Sequence, residues 1–299
     1  MKNVSSIIGP LALGSVCLLL VAGPLWAQSS RQLRQLSDEE IAKIEAAMPS
    51  KPTVDAPKKK MLIFWRCETF FHTSIPVVNK ALEIMGKKTG LFDVVCTDDY
   101  AVFTPERLAE FDVVCLNNTT TLKFDPATTP ERCQALMDFV KSGKGIVGVH
   151  AATDNFYSWP EGQEMMGGKF TGHPWTSNVT VAIKIDDPGH PLMQAFRGLR
   201  GFKIRDEIYR TEPPLYSRSK QRVLMSLDMS DPATKSRAEK PTDDDTGISW
   251  IKSWGDGRVF YCSLGHNDEV FQTPVILQHY LDGIQFAFGD LKVDTKPVE

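Results

Sequence analysis

The chain has 299 residues, 42% of them apolar, so it can bury a sizeable core. Its net charge of −3 supplies neither a basic surface nor an acidic tail, and nucleic-acid binding is not expected. The spacing of glycines fits no nucleotide-phosphate loop, so no nucleotide cofactor is expected either.

The N-terminus sets the expected compartment. Lys2 gives a short positive start, residues 7–22 are almost wholly apolar, and Leu25-Trp26-Ala27-Gln28 resembles a cleavage site after Ala27. Residues 1–27 are expected to be a signal peptide, since Pro10, Gly14 and Pro24 disfavour a stable spanning helix. An uncleaved anchor is the alternative, because the run approaches the ~18 apolar residues that can span a bilayer. Cys17 has no lipobox around it. The body of the protein is then periplasmic or secreted, with no transmembrane span after cleavage. The cysteines that remain are Cys67, Cys96, Cys115, Cys133 and Cys262, an odd number with three in apolar runs. Buried thiols are expected rather than a disulfide framework.

Ser37-Asp38-Glu39-Glu40 is a capping box that starts a helix over 38–48. The proline-rich stretch 49–57 reads as a linker, which makes 28–58 an N-terminal helix plus linker. The α/β domain is expected over 59–290, with a short tail after it. Within it, strands at 61–65, 92–96, 113–116 and 146–149 alternate with helices at 75–88, 105–110 and 130–141, the last capped by Thr129. Short continuous apolar strands between helices predict a mostly parallel sheet covered on both faces. The second half reads as strands at 179–185, 204–209, 223–227, 248–254 and 258–264, an antiparallel extension with a Gly255-Asp256-Gly257 turn. The stretch 231–246 is polar and poorly patterned and reads as an exposed loop. Residues 274–288 form a closing helix.

In open parallel sheets, ligands bind beyond the carboxyl ends of the strands. The residues that follow the strands therefore define the candidate site. Arg66, Glu68 and His72 follow the first strand. Asp98 and Asp99 follow the second, Asn117 and Asn118 end the third, His150 and Asp154 follow the fourth, and His266 and Asn267 follow the last. Gly148-Val149-His150-Ala151-Ala152 has the shape of a nucleophile elbow with imidazole in place of Ser or Cys, which argues against acyl transfer. In the Gly-rich stretch 166–175, two readings of His173 stand: a surface histidine on a flexible lid, or a third imidazole of the site with Trp175 as a platform for a sugar face. Asp206-Glu207 interrupts the 204–209 strand, so one of the pair faces a site or a salt bridge, with Arg205 and Arg210 as candidate partners. No His-x-x-x-His or Cys-x-x-Cys occurs, so a metal would be assembled from distant loops. His72, His150, His173 and His266 are the candidate ligands, and with a carboxylate they suit zinc or another divalent first-row ion. His190 and His279 are set aside as structural.

Five stretches in this order resemble the ThuA-like (trehalose utilisation) family: Phe71-His72-Thr73-Ser74-Ile75, Gly148 through Asp154, Gly167-Gly168 through His173-Pro174-Trp175, Asp206-Glu207-Ile208-Tyr209, and Gly265-His266. The resemblance implies a flavodoxin-like, class I glutamine amidotransferase-like fold. Amidotransferases hold Cys where His150 stands, so amidotransfer is not expected. The family is linked to disaccharide use and to 3-keto-glycosides. It implies His72, His150, His173, Glu207 and His266 around one polar pocket. The catalytic candidates are then His150, His266 and Glu207. Asn117, Asn118, Asp154, Trp175 and Asn267 would bind a small carbohydrate. Two functions follow as expectations: a lyase or hydrolase acting on keto-glycosides, or a non-catalytic carbohydrate-binding or interaction domain on the same scaffold. The sequence leaves the oligomeric state open.

Overall fold

The computed structural model describes residue 1 and residues 32–298; the expected signal peptide beyond its first residue, including residues 7–22 and Cys17, lies outside the described residues. The strands are β1 (Lys59–Phe64), β2 (Phe92–Thr97), β3 (Val113–Asn117), β4 (Gly145–Val149), β5 (Thr180–Ile185), β6 (Gly201–Arg205), β7 (Arg222–Leu227), β8 (Gly247–Trp254) and β9 (Gly257–Cys262). The helices are α1 (Asp38–Ala47), α2 (Ile75–Thr89), α3 (Pro105–Leu108), α4 (Pro130–Lys141), α5 (Pro160–Met166), α6 (Pro232–Lys235) and α7 (Pro274–Phe288). All the strands join one sheet in the order β2-β1-β3-β4-β9-β8-β7-β5-β6. Pairings from β2 through β9 are parallel, and those from β9 through β6 are antiparallel. This is the expected α/β architecture with its antiparallel extension.

Successive strand residues point to opposite faces, and β1 feeds two cores. Met61 and Ile63 pack in one apolar cluster with α2 and α7, while Leu62 and Phe64 pack in the other with α3 and α4. All four are fully buried, so both faces of the sheet are covered. Fully burying a side chain of this size contributes roughly 1.5–3 kcal/mol, and continuous apolar strands with no polar alternation are what two-sided burial requires. The parallel strands run the same way, so the turns after β1, β3, β4 and β9 meet along one edge.

The N-terminal region is fastened to this body. Ser37 Oγ accepts from the Glu40 N–H at 3.2 Å and Glu40 accepts from the Ser37 N–H at 2.7 Å, the expected capping box. Gln285 of α7 accepts from the N–H of Thr53 at 2.6 Å and donates to the carbonyl of Val54 at 2.6 Å, tying down the proline-rich stretch. Among the described residues no helix is long and apolar enough to cross a membrane.

Several expectations need correction. The sixth strand is Gly201–Arg205 rather than 204–209, because beyond Arg205 the chain leaves the ladder and only Ile208 bridges back, to Trp175. The segment 231–246 is not a bare loop: α6 lies in it and Thr234, Asp243 and Thr246 are buried. Thr129 precedes α4 without capping it; its hydroxyl accepts instead from the Asp125 N–H at 2.9 Å. Cys96 is exposed on edge strand β2, while Cys115, Cys133 and Cys262 are buried as expected.

The β8–β9 hairpin approaches α4 closely. A Cβ on Gly257 would lie 1.9 Å from the carbonyl oxygen of Val140, a backbone atom that cannot swing aside. Gly257→Ala is therefore expected to destabilise the fold by about 3 kcal/mol or more, read as a lower midpoint in chemical denaturation. An unchanged midpoint would show that the hairpin can move off α4.

Candidate metal centre

Four of the expected side chains converge. His72, His150, Glu207 and His266 each offer one ligand atom, and these atoms all lie within 4.8 Å of one another. Each arrives from a different turn, so each needs its own anchor.

His150 follows β4 directly, with φ of +45°. The chain just before it has little room for a side chain: a Cβ on Gly148 would meet the Met166 methyl at 2.6 Å and the Tyr261 ring at 2.9 Å. The Tyr261 hydroxyl donates to the His150 carbonyl at 2.7 Å, holding the turn in its left-handed conformation. His150 Nδ1 lies 2.8 Å from the carbonyl of Ser263. A carbonyl can only accept, so Nδ1 carries the proton and Nε2 presents its lone pair to the cluster. Nε2 lies 3.3 Å from His266 Nδ1 and 3.6 Å from Glu207 Oε1.

His266 is placed by Asp206. This fully buried carboxylate accepts from the N–H groups of Gly265 at 2.7 Å, His266 at 3.4 Å and Asn267 at 2.7 Å. Burial pushes the Asp206 carboxyl above the usual range, against the pull of His150 and of these bonds. The next residue, Glu207, turns the other way and sets Oε1 3.2 Å from His266 Nδ1. Burial works against its charge, but bonding to His150 and His266 prevails and holds the carboxyl well below the usual range. Burial likewise disfavours the charged form of His266, yet Glu207, with Asp206 and Asp268 behind it, raises its pKa.

His72 is 1% exposed, and neither ring nitrogen has a hydrogen-bond partner of good geometry. Burial, reinforced by repulsion from His150 and His266, pushes it down to about 2, so the ring is neutral. A neutral imidazole is the ligand form, and an unsatisfied buried nitrogen costs about 1–3 kcal/mol unless something binds it. Ligand atoms bound about 2.0–2.2 Å from a tetrahedral zinc stand about 3.4 Å apart, close to the 3.2, 3.3 and 3.6 Å separations seen here. The donor set, three imidazoles and one carboxylate, suits zinc or another first-row ion. These four groups could hold a metal.

His173 stays outside the set. It is half-exposed, and its Nδ1 lies 3.3 Å from Glu207 Oε2, the oxygen turned away from the cluster. The other expected site residues have scaffold roles. Asn117 donates to the carbonyl of Ile75 at 3.1 Å and to Asn79 at 2.9 Å, fixing the start of α2. Asn118 donates to Asn117 at 3.0 Å, and Asn267 donates to the carbonyls of Ser177 at 2.8 Å and Arg205 at 3.0 Å. Asp154 accepts from the Tyr157 hydroxyl, and burial raises its carboxyl to about 6. Trp175 is no sugar platform: it is fully buried and its indole N–H donates to the Thr234 carbonyl at 2.9 Å. Arg205 and Arg210 do not pair with Asp206 or Glu207; they reach Glu269 and Asp243 instead. His190 and His279 lie elsewhere and are satisfied internally, His279 by Ser249 at 2.8 Å and the Leu192 carbonyl at 2.9 Å.

Sequence reasoning missed Asp206 as the anchor of the His266 turn, and it missed Ser263 and Tyr261, which orient His150. Position after β9 was the available signal for Ser263; nothing local marks a carbonyl acceptor. Because Asp206 holds the loop without touching the ligand atoms, Asp206→Asn is expected to weaken zinc binding about 10–100-fold with the fold retained. Calorimetric titration of the metal-stripped protein reads this directly, and wild-type affinity in the variant would remove Asp206 from the account.

The comparisons with known proteins bear on the family and the fold. A family model described as ThuA, trehalose utilisation, matches residues 60–287. A ThuA-like protein from Bacteroides uniformis is 23% identical with a TM-score of 0.62, covering 78% of this chain and 93% of its own. A ThuA-like protein from Parabacteroides merdae is 19% identical with a TM-score of 0.56, covering 80% of this chain and 93% of its own. No curated protein matches. At these identities the structures bear on the fold alone, and the family rests on the model match over most of the chain: the protein belongs to the ThuA, or trehalose utilisation, family.

Proposed function

We propose that this protein is an exported, metal-dependent enzyme that cleaves oxidised (3-keto) glycosides. The observation that carries the reading is the buried group of three imidazoles and Glu207 with ligand atoms within 4.8 Å, in a chain of a trehalose-utilisation family. A ketone at C3 of a sugar acidifies the neighbouring C–H, so cleavage can proceed by proton abstraction followed by loss of the glycosidic group. A divalent ion held by His72, His150, Glu207 and His266 would supply stabilisation of negative charge on the ketone oxygen.

The chain's own residues divide the remaining work. Glu207 faces the cluster with Oε1 and His173 with Oε2. His173 is the imidazole left outside the ligand set, and its half-exposed ring can take up the proton from the carbon beside the ketone and return it to the departing glycosidic oxygen. Glu207 orients that ring through Nδ1, leaving Nε2 for the proton. His150 and His266, expected from sequence as base candidates, act in this reading as ligands.

A second reading has one specific observation behind it. Four protein donors would complete a tetrahedral shell around an ion, as in structural metal sites, whereas catalytic zinc sites keep a position open. A closed centre would serve a carbohydrate-binding or interaction domain. Turnover separates the two. The zinc-loaded protein is expected to cleave a 3-keto-disaccharide, to lose this activity with EDTA, and to lose on the order of 10²–10³-fold or more in kcat/KM on His150→Ala. Turnover unchanged by both treatments would refute the metal-dependent reading, and tight sugar binding with no turnover would favour the binding domain.

A further inference from the structure

A second concave site lies apart from the metal centre. It is a cavity of about 480 Å³ bounded by the segment 121–125, the start of α4 and Tyr157. None of His72, His150, Glu207 and His266 lines it, and the chemistry above does not use it. Its wall carries three cations, Arg66, Lys123 and Arg132, against one carboxylate, Asp125. In a chain whose net charge is −3, this local excess of positive charge needs a cause.

Tyr100 organises the cations. Its hydroxyl donates to Glu68 at 3.1 Å and accepts from the Lys123 N–H at 2.8 Å, which fixes the ring. The Arg132 guanidinium lies 4.1 Å from the ring centroid and that of Arg66 lies 5.5 Å from it, both within cation–π range. Arg132 is tied further by a bond from Nη1 to the Lys123 carbonyl at 2.5 Å. Two arginines are thereby held beside one ring, although their like charges repel.

The protein answers only part of that charge. Glu68 accepts from Arg66 Nε at 2.8 Å and lies 3.3 Å from Lys123 Nζ. The Asp125 carboxylate accepts from the Ala127 N–H at 2.8 Å. Among the described residues no carboxylate pairs with Arg132, and neither terminal nitrogen of Arg66 makes a hydrogen bond. Thr129 gives α4 no side-chain cap, so the positive end of this 12-residue helix adds to the same field.

We infer that this cavity binds an oxyanion, a phosphate or carboxylate group carried by a small metabolite. The forked guanidinium groups of Arg132 and Arg66 suit the paired oxygens of such a group, and Thr128 and Ser158 bring hydroxyls to the same wall. The cavity has the size of a small-molecule site rather than of a single ion, so the anion arrives on an organic body that packs against Tyr157. This site is independent of the glycoside-cleaving reading of the metal centre.

Calorimetric titration of the full chain at fixed pH and ionic strength tests the assignment, with methyl phosphate, acetate and chloride as separate probes. Methyl phosphate or acetate is expected to bind with a roughly millimolar or tighter dissociation constant, and the tighter of the two identifies the group. Chloride cannot engage both prongs of a fork and should bind about tenfold or more weakly. Arg132→Gln is expected to weaken the tighter oxyanion about tenfold or more, and Arg66→Gln to act in the same direction. Arg132→Lys keeps the charge but loses the fork, so its affinity should fall between wild type and Arg132→Gln. Circular dichroism checks the fold of each variant, and if Arg132→Gln does not fold, Arg66→Gln and Arg132→Lys carry the test. Affinity should be unchanged after the metal is removed with a chelator and the chelator is dialysed away. The assignment is overturned if neither oxyanion binds, if chloride binds as well as they do, or if the arginine variants match wild type. Binding that disappears with the metal would put the anion on the ion instead, and would overturn it too.

Discussion

Asp206 lies fully buried and grips three successive backbone N–H groups, those of Gly265, His266 and Asn267. That grip joins the chain leaving β6, at one end of the sheet, to the turn leaving β9 at its centre. Removing a carboxylate from water is costly, and several converging N–H donors are what make it tolerable. Once the grip is made, the next residue, Glu207, faces His150 and His266, and its far oxygen meets His173. The antiparallel half of the sheet thus delivers a carboxylate to imidazoles carried by the parallel half. Neither half contains the site alone.

Electrostatics in the cluster follow from this arrangement. Glu207 is held ionised among imidazoles, His266 is pushed toward its charged form by Glu207, and His72 is kept neutral by burial and by its histidine neighbours. Such opposed pressures in one small volume mark functional sites more often than structural ones. A cation at the centre would relieve them together. It would give His72 the partner it lacks, replace the His150–His266 contact by shared coordination, and neutralise Glu207. The carbonyl of Ser263 fixes the His150 tautomer in advance, the usual second layer around a metal-binding histidine.

The parallel half was legible in the sequence because its physics is local. Strands buried on both faces must be continuously apolar, and the helices between them must be amphipathic. The turns after β1, β4 and β9 could therefore be placed, and with them His72, His150 and His266. The antiparallel half was less legible. Ile204 and Ile208 fit a strand on either side of Asp206-Glu207, and only the long-range hold on residues 265–267 shows why the chain leaves the ladder there. Trp175 reads as an exposed platform within a glycine-rich run, since the segment that buries it arrives some sixty residues later, at Thr234.

The central claim is that one ion is shared by His72, His150, Glu207 and His266. X-ray absorption at the metal edge of the purified protein tests it most directly, because the spectrum reports the first coordination shell. The account predicts about one metal per chain, with imidazole scattering from three histidines, nitrogen and oxygen ligands near 2.0–2.2 Å if the ion is zinc, and no sulfur. Protein that holds no metal after reconstitution, or a shell without imidazole, would contradict it.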